Sequence, residues 1–485
     1  MKRKAMLAAA AAVSFLIVSC SNGDLLGDLS FPDITTMTGD RYDSYEDNPF
    51  IETSVNNVST FSVDADGASY ANMRRAILQE RRFPDKNAVR IEEFLNYFTF
   101  DYPEPVAGQN VAIHSEVSDC PWDDTHRLLR LGIKGKSLAA DEMPRANYTF
   151  LIDVSGSMNS SDKLKLLKKC LITLTDHLHP EDRVSIITYS GKVSKLLEST
   201  LVKDAKTIKD AISKLTASGS TNGGDAMKMA YEEAIENYIE GGNNRIIMGT
   251  DGDFNVGVTG EKLIEMVEEY AAKGIYLTVC GFGRGNLNDS FMEKVSNRGN
   301  GTFEYIDSEE EMMKVFVNER AKFHSVANDA KIQITFNPET VKSYRLIGYE
   351  NRVLSNDDFE NDDKDAGEIG AGQTITALYE LIPQTDYATG DECGTFDFRY
   401  KKAFGQESIP LACTIREDGK TMSENMRFAA GIAAFGMILR ESPYKGSATF
   451  EMAEQLAQGG MTFDPYDYRK QLLEIIGHAK AMDKE

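Results

Sequence analysis

A chain of 485 residues is too long for one ordinary core, so two or three domains are expected. Its apolar fraction, 41%, is enough to bury sizeable cores. The net charge of -23, with acidic residues spread along the chain, argues against nucleic acid as a partner, which needs basic stripes to release counterions. It suits a soluble surface outside the cytoplasm.

The chain opens on a targeting segment. Lys2, Arg3 and Lys4 precede an apolar run over residues 5–18, followed by Ser19 and Cys20. This is the build of a signal peptide rather than of a spanning helix. Ile17-Val18-Ser19-Cys20 resembles the lipobox of bacterial lipoproteins, which implies cleavage after residue 19 and acylation of Cys20. One acyl chain anchors only marginally, at ~0.8 kcal/mol per buried CH₂, so several chains on Cys20 are implied. The expected place is the bacterial cell envelope, lipid-anchored and facing either the periplasm or the outside. Residues 21–46 are polar and read as a tether.

Residues 47–146 read as an α+β flanking region. Thr60-Phe61-Ser62-Val63 alternates like a strand, and residues 70–81 and 89–98 read as helices, with Ile91, Phe94, Leu95 and Phe98 at helical spacing. Asp64-Ala65-Asp66-Gly67 hints at calcium but lacks the later ligands of such a loop, and a turn with a helix cap is the better reading. Two more strand patterns follow, around Ile113 and around Leu129, with Trp122 between them.

Residues 147–322 change character. Phe150, Leu151 and Ile152 form a short apolar run suited to a buried parallel strand. Asp153, Ser155 and Ser157 follow at alternate positions, so that an extended loop points one carboxylate and two hydroxyls the same way. That is half of an all-oxygen shell for a hard cation; Mg²⁺ takes about six oxygens at ~2.0–2.1 Å. Strands and helices then alternate. Asp162 is placed to cap a helix striped by Leu164, Leu167, Leu171, Leu174 and Leu178. The loop Gly219-Ser220-Thr221 offers a hydroxyl, and the apolar strand before Gly249-Thr250-Asp251-Gly252 ends in a carboxylate. Such alternation implies a doubly wound, mostly parallel α/β sheet, whose ligands sit beyond the carboxyl ends of the strands. Gly281-Phe282-Gly283-Arg284-Gly285 reads as a strand-end turn rather than a phosphate cradle.

Asp153, Ser155, Ser157, Thr221 and Asp251, in that order, resemble the metal-ion-dependent adhesion site of von Willebrand factor type A domains. The resemblance implies a divalent cation, Mg²⁺ first, with Mn²⁺ and Ca²⁺ as alternatives. It also implies a protein partner that supplies an Asp or Glu to the open coordination position. The blander alternative is that these residues only cap helices and form turns.

Residues 323–420 alternate strictly at Ile332 to Phe336 and Phe396 to Tyr400, as in an antiparallel sandwich. The acidic run from Asp357 to Asp363, with Asp365, reads as a solvated loop. Residues 421–485 turn helical: 428–439 are apolar nearly all round but too short for a bilayer, which needs ~20 residues, and suit a buried helix packed through its small residues. Asn48-Pro49-Phe50, Ser59 to Asp64, Val89 to Phe94 and Arg345 to Arg352 resemble bacterial lipoproteins with a central type A domain between two flanks. Strands before residue 147 and after residue 322 are expected to join in one sandwich. Cys393 and Cys413 flank successive strand patterns and can oxidise together outside the cytoplasm.

An enzyme is not expected. His177 and His179 fall past the far end of the helix after Asp153, away from Ser155, so no base serves a serine nucleophile. The competing readings are an assembly or stress scaffold with an idle metal site and, behind it, a metal-dependent hydrolase.

Overall fold

The computed structural model describes residues 40–139, 141–221, 223–252, 260–362, 364, 366–403, 406–417, 419 and 421–484. The leader, Cys20, the polar stretch to residue 39, and Asp363 and Asp365 lie outside the described residues.

The chain begins with β1 (Ile51–Glu52), β2 (Val58–Ser62), helices α1 (Ala68–Arg74) and α2 (Ile91–Asn96), β3 (Val111–Asp119) and β4 (Arg127–Gly135). An α/β segment follows: β5 (Ala146–Asp153), α3 (Leu164–His177), β6 (Arg183–Tyr189), β7 (Val193–Leu201), α4 (Ala205–Ser213), α5 (Gly224–Glu236) and β8 (Asn243–Thr250). It continues with α6 (Glu261–Ala271), β9 (Ile275–Phe282), α7 (Asp289–Arg298), β10 (Phe303–Ile306) and α8 (Glu309–Met313). Then come β11 (Ser325–Phe336), β12 (Val341–Ile347), β13 (Val353–Leu354), β14 (Gly367–Gly370), β15 (Thr374–Pro383), β16 (Glu392–Lys401) and β17 (Ile409–Arg416). Three helices close the chain: α9 (Glu424–Leu439), α10 (Phe450–Gln458) and α11 (Tyr468–Met482).

The α/β sheet runs β10-β9-β8-β5-β6-β7 and is parallel except where β7 meets β6. Strand β5 lies inside it and is buried along its whole length, in keeping with its apolar Phe150-Leu151-Ile152 run. Leu164, Leu167, Leu171 and Leu174 of α3 pack with Phe150 and Ile152 on one face. Met227 and Tyr231 of α5 and Leu263 of α6 pack with Leu151 and Met248 on the other. The expected cap of α3 is corrected: Lys163 stands ahead of its first turn with no side-chain cap, and Asp162 accepts a bond from Ser160 Oγ at 2.5 Å instead.

Two further sheets, β1-β12-β15-β4-β3 and β13-β2-β11-β16-β17 with β14 paired to β11, face each other across one core. Phe61 of β2 lies opposite Ile332 of β11, and Leu129 of β4 opposite Tyr379 of β15. Each sheet thus takes strands from both sides of the α/β segment, which is inserted between β4 and β11. A helical layer of α2, α9, α10 and α11 covers Leu128, Ile347 and Leu378 on the outer side of one sheet. Helix α9 packs through small residues: a Cβ on Gly431 would meet Ala457 N at 2.7 Å. Cys393 and Cys413 are both free, because the register sets Cys413 opposite Phe396 rather than Cys393; the expected pairing is not made.

The α/β domain is fastened to its flanks by buried charge. Arg90, ahead of α2, bonds Asp289 of α7 at 2.8 Å and ion-pairs with Glu93 and, at 3.3 Å, with Glu293. Arg74 of α1 reaches Glu311 of α8 at 2.8 Å and also pairs with Asp307. Asp64 and Asp66 do not cap α1. Asp66 accepts the Phe303 N–H of β10 at 2.8 Å, and Asp64 accepts Arg352 Nε at 2.9 Å. The polar stretch read as tether also ends earlier than residue 46: Asp40 accepts the N–H groups of Gly285 (2.7 Å) and Leu287 (3.0 Å) and ion-pairs with Arg75 at 2.8 Å.

Glu92 in α2 is 1% exposed, and burial, helped by the charges of Glu350 and Asp64, pushes its carboxyl from 4.5 up to about 8. A carboxyl raised in the folded state holds its proton better there than in the unfolded chain. Its contribution is therefore full below 4.5 and is lost as pH rises through about 8. Glu92→Gln is expected to flatten the loss of stability between those two values, read as denaturant midpoints at several pH values. An unchanged slope would place the ionisation elsewhere.

Candidate metal centre

The site lies at the carboxyl edge of the α/β sheet, where β5, β8 and β9 end beside one another. Asp153 closes β5 and is fully buried. Its Oδ1 accepts the Ser155 N–H at 2.8 Å, which folds the loop back over the strand end, and its Oδ2 accepts Thr250 Oγ1 from β8 at 3.2 Å. Thr250 Oγ1 in turn accepts the Gly252 N–H at 3.0 Å, so one hydroxyl sets both the carboxylate and the following turn. Ser155 is buried and Ser157 exposed, with their hydroxyl oxygens 2.9 Å apart.

The loop bearing Thr221 is laid across this one by two backbone bonds, Gly156 N to Gly219 O at 2.9 Å and Ser218 N to Val154 O at 2.7 Å. Thr221 follows two residues later and is buried. Asp251, fully buried, is the next residue after β8. The five residues singled out in the sequence therefore stand on three loops that touch or share bonds, two of them following β5 and β8 and the third joining α4 to α5.

Burial pushes the Asp153 carboxyl from 3.8 up to about 7; the charge of Asp251 adds to the rise, and bonds from Ser155 and Thr250 oppose it. Two buried carboxylates that repel one another are a poor arrangement for an ordinary core and a good one for a cation. The donor set fits a hard divalent ion. All donors are oxygen, and the Ser155–Ser157 spacing of 2.9 Å matches neighbouring corners of an octahedron with ~2.1 Å bonds, about 3 Å apart. Among the described residues no group of three or more His, Cys, Asp or Glu is placed to hold a metal ion. With two carboxylates and three hydroxyls, this set suits Mg²⁺ rather than zinc.

Two residues were not foreseen. Lys163 Nζ lies 3.0 Å from Asp251 Oδ2 and 2.8 Å from Asn286 Oδ1, and Asn286 Nδ2 is 3.1 Å from the same Asp251 oxygen. Neither carries a motif signal: Lys163 reads as the start of a helix and Asn286 as part of a glycine-rich turn. Thr250 was visible in the strand-end pattern, but its bond to Asp153 was not. His177 bonds its own helix at Thr173 O and His179 sits by Asp182, both remote from Ser155.

A sheet of this order with these three loops at its edge defines a von Willebrand factor type A domain, and the family model for that domain matches residues 147–319. A further model, described as von Willebrand factor, matches residues 36–130, and one described as the C-terminal region of uncharacterized protein YfbK matches residues 321–482. The chain is 38% identical over 469 residues to uncharacterized protein YfbK of Escherichia coli (strain K12), spanning 90% of this chain and 80% of that one. The chain belongs to the YfbK family. It is also 34% identical over 163 residues to inter-alpha-trypsin inhibitor heavy chain H4 of Homo sapiens, 32% of this chain but only 17% of that protein. Among solved structures, von Willebrand factor type A from Catenulispora acidiphila aligns with a TM-score of 0.45 at 14% identity, over 77% of this chain and 90% of that one.

Proposed function

We propose that this protein is a cell-envelope lipoprotein, anchored through acylated Cys20, that captures a protein partner through a divalent cation. Asp153, Ser155, Ser157, Thr221 and Asp251 would hold the ion, Mg²⁺ in the first place, directly or through water. When bound, the ion supplies a Lewis-acidic position for an Asp or Glu of the partner, a charge-assisted and directional contact. The chain's own part is to fix the two serine hydroxyls at octahedral spacing, orient Asp153 through Ser155 and Thr250, and bury both carboxylates.

The two hydrogen-bonded hydroxyls of Ser155 and Ser157 beside the buried carboxyls of Asp153 and Asp251 carry this reading. Binding is preferred to turnover because, among the described residues, His177 and His179 are engaged elsewhere and Lys163 is committed to Asp251. The sequence of the leader, ending at Cys20, supports the envelope location.

The test is capture from a detergent extract of the envelope. A partner is expected to be retained by the wild-type protein in Mg²⁺, released by EDTA, and not retained by Asp153→Ala. Retention indifferent to both changes would favour the scaffold with an idle site.

A further inference from the structure

Lys163 closes the stretch between the Asp153 loop and α3, and its side chain is 8% exposed. Instead of reaching solvent, it crosses the turn that follows β9. There Gly283 has φ +76 and no side chain, and a Cβ on it would collide with the aliphatic part of Lys163. The ammonium ends between Asp251 Oδ2 and Asn286 Oδ1. Asn286 is held from both sides, because its neighbours Gly285 and Leu287 donate their N–H groups to Asp40, which Arg75 grips in turn. A lysine tail buried along a groove shaped for it, with its head shared by two fixed acceptors, is a built arrangement rather than a surface ion pair.

This positive charge faces the same carboxylate that the metal would use. With Asp153 and Asp251 ionised, Lys163 cancels half of the charge available to a divalent ion, and it occupies one oxygen of Asp251. We propose that Lys163 is a resident counter-cation that weakens metal binding at this site and leaves the loaded site with a net positive charge for an anionic partner. The proposal rests on the metal-site reading. It makes Lys163 a positioning residue that holds Asp251 and whose charge is felt at the ion's position without touching it.

The experiment is calorimetric titration of Mg²⁺ and of Mn²⁺ into the wild-type protein, Lys163→Gln, Lys163→Arg and Asn286→Asp, with melting in EDTA to verify folding. Lys163→Gln removes the charge. Asn286→Asp neutralises it while leaving Lys163 in place, and serves if the first variant does not fold. A unit charge several ångströms away in a partly polar medium is expected to change the metal Kd about tenfold. Tighter binding by that factor in Lys163→Gln and Asn286→Asp, with Lys163→Arg close to wild type, is the expected result, as is binding by Lys163→Gln where wild type shows none. Wild-type affinity in folded Lys163→Gln and Asn286→Asp would overturn the proposal and leave the metal site standing. Binding by none of the four would overturn both.

Discussion

Arg90→Ala is expected to cost about 3–5 kcal/mol of stability, the usual loss when one partner of a buried ionic cluster is removed. Arg90 is 2% exposed and stands among Glu93, Asp289 and Glu293, which are equally buried. The intact cluster need not stabilise the fold by that amount; the cost arises from three carboxylates left in a low-dielectric interface without their cation. Because Arg90 and Glu93 belong to the helical layer, and Asp289 and Glu293 to α7, the loss falls on the seam between the inserted domain and its frame. Denaturant unfolding measures it. A change below about 1 kcal/mol would mean that water or a second cation already serves these carboxylates. Replacing Asp289 and Glu293 by Asn and Gln in the Arg90→Ala background should recover part of the loss, since the uncompensated charges are then gone.

The second large effect is the response to metal. The Asp153 carboxyl is raised from 3.8 to about 7, so the metal-free fold prefers it protonated. That contribution is complete below 3.8 and disappears as pH rises through about 7. A cation needs the carboxylate, so below about 7 it must displace the proton, and above about 7 it need not. Stabilisation by Mg²⁺ is therefore expected to grow as pH rises through that value, approaching about 2.7 kcal/mol when the ion is at a hundred times its Kd. Asp153→Asn should abolish the response and at the same time raise the stability of the metal-free protein at alkaline pH, because a neutral amide replaces a buried charge. Thermal melts with Mg²⁺ and with EDTA across that range give both numbers. A pH-independent increment would remove Asp153 from the ligand set.

Much of this architecture can be read locally. Phe150 to Ile152 is an apolar run followed at once by Asp153, Ile246 to Met248 is one with Asp251 three residues on, and buried parallel strands of an α/β sheet have that form. The candidate ligands of the first loop announce themselves because Asp153, Ser155 and Ser157 fall at alternate positions within five residues, although Ser157 stands in a 3-10 turn, Gly156–Met158, rather than in the extended loop expected. Edge strand β7 shows no such run. Its exposed Ser194, Leu196 and Glu198 alternate with half-buried residues, a weak signal at the rim of a sheet. Helix α10 is short and was equally silent. The partners of each sandwich strand are set by contacts such as Phe61 with Ile332, across the whole inserted domain, and no local period encodes such a pairing. Lys163 and Asn286 escape for the same reason. Their role comes from three turns meeting in space, whereas Asp162, with the better capping residue type, bonds Ser160 and leaves α3 uncapped.

The measurement closest to the heart of the matter is the position of Mn²⁺, read from its anomalous scattering in crystals of the protein grown with that ion. One peak is expected at the carboxyl edge of the α/β sheet, at coordinating distance, about 2.2 Å, from Ser155 Oγ and Ser157 Oγ, with Asp153, Thr221 and Asp251 around it. Ordered loops with no peak there, or a peak held by other residues, would contradict the assignment.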